Sequence, residues 1–156
     1  MTTESTNGLV TDMAGLRESA GRHLGYTEWR EMTQDQVDQF ADVTGDHQFI
    51  HVDVERAKQT PFGGTIAHGY LTLSMLGSVT QQLLKVTDAK MGVNYGLDRV
   101  RFPAPLPVGA KWRASAEIVD VSEVPGGLQG KLLATIEVEG AEKPAVVAEC
   151  LVRLYG

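Results

Sequence analysis

The stretch from Thr44 to Ser74 holds residues able to move protons. Asp46 and His51 stand five positions apart, with Gly45 in front of them and turn-forming residues around them. A short polar segment closed by Pro61 and the pair Gly63-Gly64 follows, and His68-Gly69 then opens a long uncharged run. A carboxylate and an imidazole acting together can take a proton from one atom and return it to another. A glycine at a helix start offers an unpaired N–H and the positive end of the helix dipole to a developing anion. It also lets a substrate approach the backbone closely. An acid, a base and a helix start within about thirty residues are the parts that acid–base catalysis needs.

Those residues need elements to hold them. Thr33 and Gln36 form a capping-box pattern, and Val37, Phe40 and Ala41 recur at helical spacing behind it. Gly45 suits a left-handed helix stop, which puts Asp46 on a tight turn just past the helix. Phe49 to Val52 reads as a short extended piece carrying His51. Asp53 can cap a brief helix through Ala57, and Pro61 excludes its continuation. Phe62-Gly63-Gly64 reads as a loop.

A long buried helix is expected from Gly69 to about Val86, with Leu71, Leu73, Met75, Leu76, Val79, Leu83 and Leu84 covering most of its turns. So wide an apolar surface asks to be wrapped. Four alternating segments supply the wrapping: Val93 to Phe102, Lys111 to Val121, Leu128 to Glu139 and Ala145 to Tyr155. Short Gly/Pro turns between them predict an antiparallel meander. Earlier in the chain, Leu16 to Leu24 allows a short helix and Tyr26 to Met32 a short strand, after a polar, fraying start over residues 1–13. The class is α+β, an antiparallel sheet wrapped around one long central helix, the hot-dog arrangement. Residues 1–24 read as an N-terminal extension and 25–156 as a single domain.

Composition narrows the function. The net charge is −6 and no Lys/Arg cluster occurs, which argues against a nucleic-acid surface. The uncharged run from Gly69 to Leu84 falls short of the roughly 20 residues of a membrane span, so no membrane association is expected. The N-terminus has neither the basic start nor the apolar core of a signal peptide. Cys150, the single cysteine, sits in an apolar alternation and reads as a buried thiol in a reducing cytoplasm.

The segment 40–77 resembles the hydratase-2 segment of the MaoC-like hydratase/dehydratase family, which includes the (R)-specific enoyl-CoA hydratases. The matching residues are Gly45-Asp46, Ile50-His51, Asp53, Phe62-Gly63, Ile66 and His68-Gly69. Arg101-Phe102-Pro103-Ala104-Pro105 with Gly109 resembles the strand after the family's helix, and the likeness extends over residues 25–156. One departure stands out: Gln48-Phe49 occupies the place of the family's usual Asn-Pro, with the Asp46-to-His51 spacing retained. The resemblance implies reversible addition of water to a trans-2-enoyl thioester, the substrate being an acyl-CoA or an acyl-carrier-protein thioester. It assigns Asp46 and His51 as the acid–base pair, without saying which group activates water. It also implies a homodimer and no cofactor.

Such a hydration needs a base for the water, an acid for the α-carbon and a donor for the charge on the thioester oxygen. Asp46 and His51 can grip one water between them, and Gly69 N–H is the candidate donor. Phe62, Gly63, Tyr70, Leu73, Ser74 and Gly77 are the candidate substrate contacts, and His68 reads as structural, shaping the turn. Gly77 suits either close helix packing or space for a ligand. A hot-dog acyl-CoA thioesterase and a non-catalytic acyl-thioester-binding module are the competing functions. A zinc site from His47, His51 and His68 is opposed by the helix stop at Gly45, which denies His47 and His51 a shared helical face.

Overall fold

The computed structural model describes residues 8–156, so residues 1–7 of the polar start lie outside the described residues. The first elements are β1 (Leu9–Thr11), α1 (Met13–Arg17), β2 (His23–Tyr26) and β3 (Arg30–Glu31). The short helix thus overlaps the expected Leu16–Leu24 only at Leu16 and Arg17, because Asp12 caps it earlier, its carboxylate accepting the Gly15 N–H at 2.7 Å, and His23 and Leu24 are already in β2. Three helices follow: α2 (Gln34–Thr44), α3 (Phe49–Val52) and α4 (Val54–Ala57). The capping box at Thr33 and Gln36 is formed, and Gly45 ends α2 at φ 79°, as the residue types predict.

The central helix comes in two consecutive pieces, α5 (Gly69–Ser74) and α6 (Leu76–Leu83), joined at Met75, whose backbone stays helical. It stops three residues short of Val86. Leu84 turns extended, and β4 (Leu84–Val86) pairs in parallel with β1. Nothing local in Leu-Lys-Val forbids helix. A partner strand from the chain's start overrides the weak local preference. Gly8 permits that crossing: a Cβ there would sit 2.2 Å from the Leu83 carbonyl oxygen, and its φ is +62°.

Four long strands complete the chain: β5 (Met91–Arg101), β6 (Lys111–Val124), β7 (Gly127–Val138) and β8 (Val146–Tyr155). All four expected strands are present, and β6, β7 and β8 are a meander. The complete meander is not: the order is β2-β6-β7-β8-β5, with β3 also on β6. β5 crosses to the far edge and pairs antiparallel with β8 rather than with its sequence neighbour. The segment 102–110 provides the crossing, and along it Pro107 bridges back to Ile66.

The alternation read from the sequence faces the helix. Trp112, Ala114, Ala116 and Ile118 of β6 are buried, as are Leu128, Leu132, Ala134 and Ile136 of β7 and Val146, Ala148 and Cys150 of β8. Register places Ala116 opposite Ala134, and Ala134 opposite Ala148. A row of methyl groups therefore runs across three strands, and Leu71, Leu76, Val79 and Leu83 of the helix join the same apolar core. Small side chains in the middle of the sheet let the helix settle close, with larger ones at the row's flanks filling the sides. Leu9, Leu16 and Leu24 also belong to this core, so residues 9–24 pack on the same body as the rest.

Candidate active site

α2 delivers Asp46 to the site. The turn after Gly45 is closed by main-chain donors: the Gln48 N–H reaches Asp46 Oδ1 at 3.3 Å, and the Asp46 N–H reaches Thr44 Oγ1 at 3.4 Å. Gln48-Phe49 thus makes the turn without the family's Asn-Pro, and the Phe49 ring is covered by the Arg56 guanidinium at 4.1 Å.

The piece carrying His51 is a helical turn, α3, and not the extended segment its residues suggest. Four residues hold too little pattern to choose between the two periods. The choice is made by distant partners that take the open carbonyls of so short a helix. Ile66 N–H donates to Ile50 O at 3.0 Å, and Gln34 Nε2 donates to His51 O at 2.8 Å. Gln34 is held in turn by the Thr65 hydroxyl, which donates to its Oε1 at 2.7 Å. The stretch 65–67 is kept straight by backbone bonds to 106–108, with Ala67 N–H on Leu106 O and Val108 N–H on Thr65 O.

Ile66 closes the arrangement. Its carbonyl lies 2.7 Å from His51 Nδ1. A carbonyl can only accept, so Nδ1 carries the proton and Nε2 keeps a lone pair. His51 is buried, and burial holds its imidazole below the ordinary histidine range. The Ile66 bond and the Asp46 carboxylate oppose that shift, and the neighbouring His68 adds to it. His51 is therefore a neutral base at neutral pH.

His68 is more deeply buried, at 1% exposure. Its ring stacks on that of His51, with centroids 3.8 Å apart and planes 24° apart. Its Nε2 lies 2.9 Å from the main-chain carbonyl of Asp46. A carboxylate oxygen of Asp46 and a ring nitrogen from each histidine all fall within 4.8 Å of one another. The separation suits one water between donors and acceptors. It does not suit a metal: histidine lone pairs lie in the ring planes, and two nearly parallel stacked planes do not converge at the roughly 2 Å of a metal–nitrogen bond. His47 lies outside the cluster, paired with Asp42 at 2.9 Å.

Gly69 begins α5 directly after His68, which makes no side-chain cap to the helix. The Phe102 ring covers the place where a Cβ would stand, at 3.4 Å. One helical turn on, Leu73 enters a cavity of about 400 Å³, lined also by Ser74, Leu76, Gly77 and Thr80 of the helix, and by Asn94, Gly96, Leu97, Cys150 and Leu151 of β5 and β8. A Cβ on Gly77 would meet only Asn94 Nδ2, at 3.7 Å. The glycine borders the cavity, and a Cβ there would make one ordinary van der Waals contact and no clash. Tyr70, Phe62 and Gly63 are exposed and do not line this cavity. The Cys150 thiol does line it, and burial pushes its pKa up to about 11, which leaves it an unreactive wall. Gln34, Thr65, the Ile66 carbonyl and the β8 wall are the parts that reading along the chain misses. The capping position of Gln34, next to Thr33, is the sole local hint of any of them.

The profile of the MaoC-like domain family matches residues 16–138. The 3-hydroxyacyl-thioester dehydratase Z of Mycobacterium tuberculosis (strain ATCC 25618 / H37Rv) is 49% identical over 142 residues, covering 90% of this chain and 94% of that protein. Nodulation protein N of Rhizobium leguminosarum bv. viciae is 40% identical over 149 residues, covering 87% and 86%. Among solved structures, the (R)-hydratase from A. caviae involved in PHA biosynthesis superposes with a TM-score of 0.71 at 26% identity, covering 86% of this chain and 96% of that one.

The depressed His51 value has a stability consequence. Between the unfolded pKa of about 6.5 and the lower folded value, the unfolded chain binds a proton that the folded one refuses. Stability is then full above that window and falls as pH drops through it. Urea unfolding of wild type and His51→Gln across the acid range should show a steeper acid loss for wild type. Parallel curves would mean that the proton affinity of His51 is not lowered by folding.

Proposed function

The chain belongs to the MaoC-like family, and on that premise we propose that it is an (R)-specific enoyl-thioester hydratase, or 3-hydroxyacyl-thioester dehydratase in the reverse direction. The observation that carries this reading is the neutral, tautomer-fixed His51 beside the Asp46 carboxylate. In hydration the pair holds one water. His51 Nε2 accepts a proton from it while the hydroxyl adds to C3 of the enoyl group. A proton returns from the pair to C2, so the pair ends as it began. Charge that builds on the thioester oxygen is met by the Gly69 N–H at the start of the helix, a position that favours an anion. The acyl chain runs from there past Leu73 and Ser74 to Gly77. Phe62, Gly63 and Tyr70, on the surface, serve the thioester carrier, CoA or acyl-carrier protein. No step calls for a cofactor.

The protein acts as a homodimer. β5 ends the sheet, bonded to β8 on one side, and Met91, Val93, Tyr95 and Leu97 along it are exposed apolar residues. An open strand edge with apolar side chains invites a second copy. Light scattering should give twice the 16.9 kDa of one chain; an active species at the single-chain mass would exclude the dimer. The site of action is the cytoplasm, consistent with thioester chemistry and a lone reduced thiol. No helix among the described residues is long and apolar enough to cross a membrane.

Asp46→Asn and His51→Gln should each fold normally and lose about 10²–10⁴-fold in kcat, the usual scale for a general acid or base. Because both act on one water, the double variant should lose less than the product of the two. The assay is enoyl-group absorbance with a thiol reagent in parallel. Release of free CoA without loss of the enoyl group would make the protein a thioesterase. Binding with neither change would make it a carrier module.

Gly77→Val tests the acyl path. Adding side-chain bulk into the cavity at a position where a Cβ meets no clash should leave the melting temperature close to wild type. Short enoyl-CoAs should still turn over, while long ones lose kcat/KM. Equal losses at every chain length, with a fall in melting temperature, would mean that Gly77 serves packing alone.

A further inference from the structure

His68 was expected to shape a turn, and its surroundings show more than that. Its side chain touches both members of the dyad. The ring nitrogen Nε2 faces the Asp46 main-chain carbonyl at 2.9 Å, so it carries a hydrogen and donates it. The ring face lies on His51 at 3.8 Å. Phe40, from α2, backs the same ring at 4.9 Å with planes 56° apart, so the imidazole cannot swing away from its neighbours. Its own main chain is tied into the helix: Thr72 donates to the His68 carbonyl through both its N–H and its hydroxyl, each at 3.1 Å. The next residue is Gly69.

One observation argues against a filler role. His68 Nδ1 is fully buried and has no hydrogen-bond partner among the described residues. An unpaired polar atom in a core carries a desolvation penalty that a leucine or phenylalanine of similar bulk avoids. A side chain retained only for packing would not need that nitrogen, and buried unsatisfied groups call for a particular explanation.

We propose that His68 is a positioning residue that holds the two halves of the dyad in register, its N–H fixing the Asp46 turn and its ring face fixing the plane of His51. Three functional positions come from separate segments: the turn after α2, the helical turn α3 and the start of α5. His68 is the side chain that contacts the first two and adjoins the third. It also lowers the proton affinity of His51 beyond the effect of burial, by placing a second imidazole against it. As a statement about catalysis this rests on the dyad reading above; as a statement about geometry it does not.

Two variants separate the contacts. His68→Phe keeps a ring against His51 and loses the N–H. His68→Gln keeps a donor and loses the ring. Each is followed by thermal melting, by steady-state kinetics and by nitrogen NMR of the His51 ring across pH. With His68→Gln, the His51 titration should move up toward the ordinary histidine range. With His68→Phe it should move less, while kcat falls by about tenfold or more and KM changes little, as for a group that acts only on transition-state geometry. In a His51→Gln background the His68→Phe change should cost under about twofold further, because coupled residues are not additive. An unmoved His51 titration with unchanged kcat would overturn the assignment. So would a full multiplicative loss in the double variant, which would mean an independent role. Failure of both variants to fold cooperatively would make His68 a folding determinant and reject the proposal too. A wild-type protein inactive on enoyl thioesters would instead remove the hydratase reading, while the His51 titrations still report on the contact.

Discussion

The hydrogen bond from His51 Nδ1 to the Ile66 carbonyl decides what the site can do. It costs little in itself, yet it selects the tautomer, leaves the Nε2 lone pair free of that bond and fixes the ring plane. A carbonyl is a modest partner for this purpose. It orients the imidazole without the full charge of a carboxylate, which would raise the proton affinity that burial lowers. The bond exists only because Ile66 is itself immobile, bound through its N–H to Ile50 and flanked by the pairing of 65–67 with 106–108. Loop segments are thus given the rigidity of a sheet at the one point where rigidity matters.

The rest of the fold can be followed outward from that bond. The segment 106–108 reaches Ile66 because the chain leaves β5 at one edge of the sheet and must travel to β6. The central helix begins two residues beyond Ala67, so the carbonyl that holds His51, the candidate donor at Gly69 and the helix side of the cavity lie in sequence along one continuous run. Gln34 joins the start of α2 to α3, and the same helix ends at Gly45 and Asp46. Both ends of α2 therefore bear on the dyad.

Much of this was legible along the chain, because it is written in local terms. The capping box at Thr33, the glycine stop at Gly45 and the alternating residues of β6, β7 and β8 each depend on neighbours a few positions away. So does the spacing of Asp46 and His51, which carries the family resemblance. What stayed hidden depends on distant partners. The helical state of Phe49–Val52 is settled by Ile66 and Gln34. The early end of the central helix is settled by Leu9–Thr11. The place of β5 beside β8 cannot be read from four similar amphipathic strands joined by similar turns. The contacts of His68 join residues that no local pattern connects, which is why its sequence suggests only a turn.

The alanine row across β6, β7 and β8 bears on how such a protein can change. Ala116, Ala134 and Ala148 sit in register at the middle of the sheet and share one buried core with Leu71, Leu76, Val79 and Leu83 of the helix. A larger side chain at these buried positions would push against the helix, and with it the position of Gly69 relative to Asp46 and His51. The wall built from Asn94, Gly96 and Leu97 of the edge strand lies outside the buried core, and those residues are exposed in a single chain. Changes in the shape of the cavity would therefore enter through the edge strand, which the buried core does not include, and not through the alanine row at the sheet centre.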